Sequence, residues 1–368
     1  MTRQPDPDRV TLVPTSRRFV VAGLAASVAG LVACQASPQD PSSDQPSPPP
    51  SGSPIVLNGA GASFPAILYL RWFSDYLAVN PNIVVNYQSL GSAAGIQQIL
   101  DGTVDFGASD VAMSDEEINR VSRGVILVPM TAGSIVVSYN LPGIGSGLRL
   151  SRAVFADLFL GIITRWNDPR LVALNPDLEL PDRDVVLVYR ADGSGTTHTF
   201  TSHLSAISPS WREQVGMGVS VEWPAGFGAL RNEGVSAQIQ LEEGVLAYVE
   251  NAYAVELNLS RAALENQTGS FVLPTPESTL AAVDEIELPD NLRGFNPDPV
   301  SPEAYPISTY TWILLYKSYP DPDKARAIQT SMRWCLTEGQ RQSTALGYLP
   351  LPARVVERGL AALDQIEV

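Results

Sequence analysis

The sequence contains few of the residues on which metal and redox chemistry depend. Its 368 residues include two cysteines, 301 positions apart, and two histidines, His198 and His203, which do not have the i, i+4 spacing of a helical metal pair. This argues against a disulfide scaffold, a thiolate zinc site and other metal centres, and we expect no cofactor. Cys335 shares one predicted helix face with Ile328 and Met332, which indicates a core residue rather than a nucleophile.

Clusters of positive charge are also scarce. The chain has 24 Lys and Arg against 39 Asp and Glu, a formal net charge of −15, and no basic run follows residue 18. Nucleic-acid phosphates are bound by clustered lysines and arginines, so we expect no nucleic-acid partner. With 45% hydrophobic residues the chain is instead long and apolar enough to bury a core in about two compact units.

The N-terminal region is predicted to be an export signal. The uncharged stretch 19–33 is too short to span a bilayer core of about 30 Å and is typical of a signal peptide. It ends in Leu-Val-Ala-Cys34, which resembles the lipobox of bacterial lipoproteins, whose cysteine is lipidated. Arg17 and Arg18 resemble a Tat signal, although a phenylalanine directly follows and the usual lysine is missing, so Sec export stays open.

The next segment is predicted to be a tether. Residues 34–54 hold seven prolines and six serines, a composition that forms extended linkers rather than a packed core. Removal of a signal peptide at 1–33, with its four arginines and two aspartates, would change the net charge from −15 to −17. The folded part is therefore expected to begin near residue 55 and to be strongly acidic.

From residue 55 onward, strand-like and helix-like patterns alternate. The apolar run 55–57 precedes apolar residues at helical spacing from Ile67 to Leu77, and the run 83–87 precedes a second helical pattern. Repetition of strand and helix predicts an α/β architecture. Further strands are predicted at 104–106, 125–128, 135–137, 185–188, 245–249 and 312–316.

Four loops between predicted strands and helices combine glycine with hydroxyl residues. A helix N-terminus attracts anions through its free N–H groups, small residues let amides approach closely, and an arginine such as Arg190 matches the geometry of a tetrahedral oxyanion. Each loop alone is explained by ordinary turns and caps, but together they predict an oxyanion site. No lysine follows the glycines, which argues against a Walker A nucleotide site. The loops are GAGASFP (59–65), GSAAG (91–95), DFGASD (105–110) and RADGSGT (190–196).

The chain resembles the phosphate-binding proteins of bacterial Pst ABC transporters. The resemblance runs in unbroken order from about Val56 to Ala353. It implies a type II periplasmic binding protein fold, with two α/β lobes joined by two crossing segments and phosphate in the cleft between them. It is carried by GAGASFPA (59–66), VNYQSLGSAAGIQQI (85–99), TVDFGASD (103–110), ITRWND (163–168), RADGSGT (190–196), YVENAYA (248–254) and YPISTYT (305–311).

The resemblance also implies lobe boundaries, site residues and partners. Lobe one would be 55–130 with 305–368, and lobe two 131–304. Asp110 would distinguish phosphate, which carries a proton at neutral pH, from sulfate, which carries none. The expected partners are inorganic phosphate, an inner-membrane permease of the Pst type and the membrane, through the lipid on Cys34, for a periplasmic monomer. The implied phosphate ligands are Ser63, Phe64, Ser92, Asp110, Arg190, Ser194, Gly195 and Thr196, with Asp192 paired to Arg190.

Other functions stay open from the residues alone. A phosphatase or esterase could use Ser194 with a histidine, but His198 and His203 lie four and nine residues later on the same predicted helix, a poor position for a base that must reach back to Ser194. A binder of another tetrahedral oxyanion, such as sulfate or molybdate, is the closer alternative. An adhesion role for a tethered lipoprotein also stays open.

Overall fold

The computed structural model describes residues 53–368. The predicted signal peptide, the lipobox with Cys34 and the tether up to residue 52 therefore lie outside the described residues. Within 53–368, no helix combines the length and the apolar character needed to cross a membrane.

Strands and helices alternate along the described chain, as the sequence predicts. The strands are β1 (Ile55–Gly61), β2 (Ile83–Ser89), β3 (Phe106–Ser109), β4 (Val125–Tyr139), β5 (Arg149–Leu150), β6 (Val186–Arg190), β7 (Phe227–Ala229), β8 (Val245–Glu250), β9 (Ser260–Arg261), β10 (Ala263–Glu265), β11 (Phe271–Val272) and β12 (Ser308–Tyr316). The helices are α1 (Ala66–Val79), α2 (Ser92–Asp101), α3 (Asp115–Arg120), α4 (Arg152–Phe159), α5 (Pro169–Leu174), α6 (Gly195–Ile207), α7 (Pro209–Gln214), α8 (Arg231–Leu241), α9 (Asn251–Glu256), α10 (Pro276–Asp284), α11 (Pro322–Leu336) and α12 (Ala353–Leu363), with 3₁₀ turns at Glu338–Gln342 and Thr344–Leu346.

One mixed sheet organises the fold. Its strand order is β2-β1-β3-β12-β4-β8-β6-β7, and β9 pairs with the end of β4. β1 is parallel to β2 and β3, and β6 is parallel to β7 and β8, whereas β12 runs antiparallel to both of its neighbours. The parallel pairs are connected through helices, which confirms the predicted α/β class.

Strand β4 divides this sheet into two halves. Its residues 125–134 pair with β12, and its residues 135–139 pair with β8. We call β2, β1, β3, β12 and 125–134 the first half, and 135–139, β8, β6 and β7 the second half. The chain returns beside this junction, where the Ile135 N–H donates to the Ile307 carbonyl at 2.9 Å. The chain thus passes between the halves twice, once within β4 and once just before β12, as a two-lobed type II fold requires.

The runs 125–128 and 135–137, predicted as separate strands, form the single 15-residue strand β4, buried throughout. Pro129 lies between them and favours an interruption, since proline has no N–H to donate. The pairing instead shifts between Thr311 and Trp312 of β12, which leaves Met130 as an extra residue, a β-bulge. The bulge accommodates the proline without ending the strand.

Each half has its own aromatic core. In the first, the rings that pack together are Tyr69, Trp72 and Phe73 of α1, Phe106 of β3 and Tyr87 of β2. In the second, Tyr248 stacks on Phe200 and Trp223, and Phe159 meets Phe200 edge to face. Cys335 is fully buried, and burial raises the pKa of its thiol well above the ordinary range, in agreement with the predicted core position.

Helix α2 approaches the first half of the sheet closely because Gly95 has no side chain. A Cβ atom there would lie 2.4 Å from the Ala108 carbonyl oxygen and 2.8 Å from the Gly61 Cα. Real Cβ contacts are not this short, so any side chain would push α2 away from β1 and β3. The position of Ser92, at the start of α2, depends on this contact.

We therefore predict that Gly95→Ala destabilises the protein by about 1–3 kcal/mol, the usual cost of overpacking a buried contact. Thermal and urea unfolding would measure the loss. Gly145→Ala is the matched control, because a Cβ at Gly145 would have nothing within 4 Å and should leave stability unchanged. Equal stability of the two variants would contradict the packing argument.

Candidate functional site

The predicted ligand residues are all buried and lie where strands of both halves end. This is the edge at which open α/β sheets bind ligands, because carboxyl ends of parallel strands meet there with helix N-termini. Ser63 and Phe64 follow β1, Ser92 follows β2 and Asp110 follows β3, while in the second half Arg190 ends β6, Ser194 precedes α6, and Gly195 and Thr196 begin it.

The two groups of residues meet at Gly195. A Cβ atom at this position would lie 2.6 Å from both the Asp110 Cβ and the Ser92 Oγ, so only glycine fits. A second close approach joins the same loops, where the Ala93 N–H donates to the Gly193 carbonyl at 3.1 Å. In the first half, the Ala62 N–H donates to the Ala108 carbonyl at 2.9 Å. The structure thus brings the four predicted loops together, with the halves in contact.

Arg190 is fixed by the carboxylate of Asp192. The Arg190 Nε donates to Asp192 Oδ1 at 2.8 Å, and Nη2 donates to Oδ2. The Arg190 side chain is 1% exposed, and its Nη1 donates to Thr196 Oγ1 at 3.3 Å. Burial alone would raise the pKa of Asp192, but the hydrogen bonds and charge of Arg190 lower that pKa below its ordinary value. The predicted pairing is present, and it directs the remaining Arg190 nitrogen to the site.

The carboxyl group of Asp110 is buried and is held by two hydroxyl groups. Its Oδ1 accepts from Thr311 Oγ1 at 2.8 Å and its Oδ2 accepts from Ser92 Oγ at 3.2 Å. Burial raises the pKa of Asp110 to about 7, against the lowering effects of the Thr311 hydrogen bond and the Arg190 charge. In its ionised form this carboxyl can accept hydrogen bonds but cannot donate one.

The hydroxyls at the helix starts differ in their roles. Ser194 is the N-cap of α6, and its Oγ accepts the Thr197 N–H at 3.2 Å, as expected for this loop. Ser92 is the first residue of α2 rather than its N-cap, because the N-cap is Gly91 with φ 101°, a backbone conformation that favours glycine. The Ser92 Oγ instead accepts the N–H of Asp110 at 3.2 Å.

Three tyrosines hold the loop after β1. Each donates its hydroxyl to one of three successive carbonyls, at 2.6–2.7 Å. In a trans peptide the N–H points opposite to the carbonyl, so these bonds turn the amides of Ser63 and Phe64 away from the tyrosines. The pairs are Tyr87 with Ala62, Tyr253 with Ser63, and Tyr348 with Phe64.

Sequence reasoning missed five residues that shape this site. Tyr87 lies in VNYQSLGSAAGIQQI, Tyr253 in YVENAYA and Thr311 in YPISTYT, so all three were within recognised motifs but had no assigned role. Tyr348 and Asn232 lie outside the motifs. Asn232 is buried and donates from its backbone N and its Nδ2 to Ser63 Oγ, at 3.2 and 3.0 Å.

Neither histidine is directed at Ser194. The ring of His198 packs against Phe295 with centroids 5.7 Å apart, and His203 Nδ1 lies 2.7 Å from the Pro297 carbonyl. The Ser194 Oγ meanwhile accepts a backbone N–H as the helix cap. These contacts give both histidines structural roles and argue against a serine hydrolase.

Comparison with known proteins identifies relatives along most of the chain. Residues 37–338 match the family model of the PBP superfamily domain. The phosphate-binding protein PstS of Haemophilus influenzae is 42% identical over 82% of this chain and 90% of its own length, and PstS of Xylella fastidiosa is 39% identical over 87% and 88%. A subatomic-resolution structure of a high-affinity periplasmic phosphate-binding protein with bound phosphate superposes with a TM-score of 0.70, at 21% identity over 83% of this chain and 93% of that one. This last likeness supports the fold.

The raised pKa of Asp110 predicts a pH-dependent stability. Because the folded-state pKa of about 7 exceeds the ordinary 3.8, the unfolded chain releases this proton first, and the free energy of unfolding falls as pH rises from about 4 to 7. Asp110→Asn lacks this proton exchange. In buffer free of oxyanions, its melting temperature relative to wild type should increase by several degrees between pH 5 and pH 8.

The exposed Asp177 supplies the control, since Asp177→Asn should show no such trend. A constant difference in melting temperature between Asp110→Asn and wild type across this pH range would contradict the pKa assignment.

Proposed function

The chain belongs to the PBP superfamily and, within it, to the PstS phosphate-binding proteins, and we propose that it binds inorganic phosphate with high affinity and delivers it to an ABC permease. Phosphate would lie between lobe one (55–130 and 305–368) and lobe two (131–304). Its proposed ligands are Ser63, Phe64, Ser92, Asp110, Arg190, Ser194, Gly195 and Thr196.

The observation that carries the proposal is the buried carboxyl of Asp110 among hydrogen-bond donors. Arg190, the start of α6 and several hydroxyls supply donors to the oxygens of an anion. Phosphate at neutral pH still carries a proton, which Asp110 can accept in a hydrogen bond. A fully deprotonated anion such as sulfate would face the carboxylate without a hydrogen between them, and a buried contact of like charges is strongly unfavourable.

We propose that the protein captures its ligand without changing it. The relatives with 39–42% identity are named as binding proteins, and the histidines near Ser194 make other contacts. Phosphate would dock between open lobes, and the permease would recognise the closed form. The acidic surface opposes the anion only weakly, because salt screens exposed charges over about 8–10 Å, whereas the buried donors act at contact distance.

We further propose that the protein is exported and anchored. In this scheme 1–33 is a signal peptide with a Tat-like arginine pair, 34–54 is a tether, and the lipid on Cys34 holds a monomer in the membrane that faces the periplasm. The pattern of an apolar core, a lipobox and a Pro/Ser-rich segment supports this arrangement.

Asp110→Asn tests the proposed function directly. Replacing the carboxylate by an amide removes the repulsion of sulfate, so we expect the variant to bind phosphate modestly more weakly than wild type and to bind sulfate detectably. Calorimetric titrations of both proteins with both anions, at pH 7 and fixed salt, give the four affinities. The wild type should prefer phosphate by about 10³-fold or more, since several kcal/mol separate the two contacts.

Two results would count against this scheme. A wild type that does not bind phosphate, or prefers sulfate or molybdate, removes the function. A variant that excludes sulfate as well as wild type does would make Asp110 a structural residue and place selectivity elsewhere.

Cys34→Ser tests the anchor. Without the thiol no lipid can be attached, so the variant should leave the membrane fraction or retain its signal peptide, as seen by fractionation and mass spectrometry of the mature N-terminus. Cys335→Ala, which changes a buried core thiol, should stay anchored. Unchanged tight anchoring of Cys34→Ser would refute lipidation at this residue.

A further inference from the structure

We propose that Asn232 is a positioning residue that makes two hydroxyls of the site, one in each half, obligatory hydrogen-bond donors. This inference rests on the proposed phosphate-binding function and deepens it, because it explains why some groups of the site can only donate hydrogen bonds while Asp110 accepts one. Asn232 itself need not touch the anion. It acts through Ser63 and Thr196.

The orientation of the Asn232 side chain is set by its surroundings. Asn232 is the second residue of α8, it is fully buried, and its Oδ1 accepts the backbone N–H of Glu250 at 3.1 Å. An N–H donor at this position requires the amide oxygen to face it, so Nδ2 must point to the opposite side. That side holds Ser63 and Thr196.

The acceptor sites of Ser63 are both occupied. Its Oγ accepts the Asn232 backbone N–H at 3.2 Å and the Nδ2–H at 3.0 Å. A serine hydroxyl has two acceptor lone pairs and one hydrogen, so only the hydrogen is left for a further partner. Ser63 belongs to the first half, whereas Asn232 belongs to the second, so the arrangement exists when the halves are together.

Thr196 has a similar environment. Its Oγ1 accepts from Arg190 Nη1 at 3.3 Å and lies 3.5 Å from Asn232 Nδ2, a long contact that uses the second hydrogen of the same amide. Its hydroxyl hydrogen is therefore directed away from both nitrogens. One side chain thus orients a hydroxyl on each half.

In this arrangement only Asp110 can accept a hydrogen bond from a protonated oxygen of the ligand. A free hydroxyl could turn and accept the proton of a protonated oxyanion, which would weaken the distinction made by Asp110. With their lone pairs occupied, Ser63 and Thr196 can only donate to the anion, and acceptance of the ligand proton is left to the Asp110 carboxyl. Asn232 therefore supports selectivity as well as affinity.

A double-mutant cycle separates this role from a merely structural one. In wild type, Asn232→Ala should weaken phosphate binding by at least about tenfold, the cost of misdirecting hydrogen bonds to a charged group. In a background of Ser63→Ala with Thr196→Val, the same substitution should cost less than about threefold, because the hydroxyls through which it acts are gone. Gln240→Ala, an exposed amide on the same helix, is the control and should change nothing.

Asn232→Asp provides a second test that keeps the side-chain shape. Its ionised carboxylate still accepts the Glu250 N–H but cannot donate, so both hydroxyls would turn toward it and binding should fall by about a hundredfold at pH 8. A protonated carboxyl can donate a hydrogen bond again, so the ratio of the variant Kd to the wild-type Kd should fall as the pH is lowered from 8 to 5. Because Asp110, Glu233 and Glu250 are present in both proteins, the ratio reports on the new carboxyl group.

The outcomes distinguish the two proposals. If wild type does not bind phosphate, the proposed function fails. If wild type binds but Asn232→Ala costs the same factor in both backgrounds, or the Asn232→Asp ratio does not change with pH, Asn232 is only a packing residue and this inference is overturned. The positioning role is supported if Asn232→Ala loses its effect on binding in the background without the two hydroxyls and the Kd ratio of Asn232→Asp falls at low pH.

Discussion

The antiparallel pairing of β4 with β12 is the interaction on which the rest of the structure depends. This pairing lies at the edge of the first half of the sheet, and β4 then continues into the second half. The chain returns to the first half beside β4, at Ile307. The bulge in this pair lies at Thr311, whose hydroxyl holds the Asp110 carboxyl. A local irregularity in the central strands therefore sets the position of the group that we assign to selectivity.

The proposed site must attract an anion although the protein is acidic. An acidic protein that binds an anion must offer stronger favourable contacts at short range than the repulsion from its distant charges. Asp192 illustrates the arrangement, because it adds negative charge yet fixes the Arg190 guanidinium in place. The tyrosine bonds to the loop after β1 act in the same way on uncharged groups, by turning peptide N–H groups toward one region. Preorganised donors cost less to bring together when the ligand arrives.

Much of the fold and of the candidate site could be predicted from the sequence. The predictions that were wrong or missing have physical causes. Local patterns specify the alternation of strands and helices, the Ser194 cap and the Arg190–Asp192 pair, since these involve near neighbours in the chain. The predicted break within β4 was wrong because pairing with β12 outweighs the preference of Pro129. Asn232 and Tyr348 escaped notice because their partners, Ser63 and Phe64, lie 169 and 284 residues away, and no local pattern encodes such contacts. The ligand roles themselves stay a prediction from the family resemblance.

The place of β12 in the sheet has a consequence for biosynthesis. β3 pairs with β1 on one side and with β12 on the other, but β12 begins almost 200 residues after β3 ends. At about 5–20 residues per second, the ribosome needs roughly 10–40 s to supply that neighbour. During this interval the open edge of β3 presents unpaired N–H and carbonyl groups, which is where a nascent chain can pair wrongly. The late position of β12 in the chain therefore predicts that the newly made protein needs a holding factor, or delays its folding, until this strand emerges.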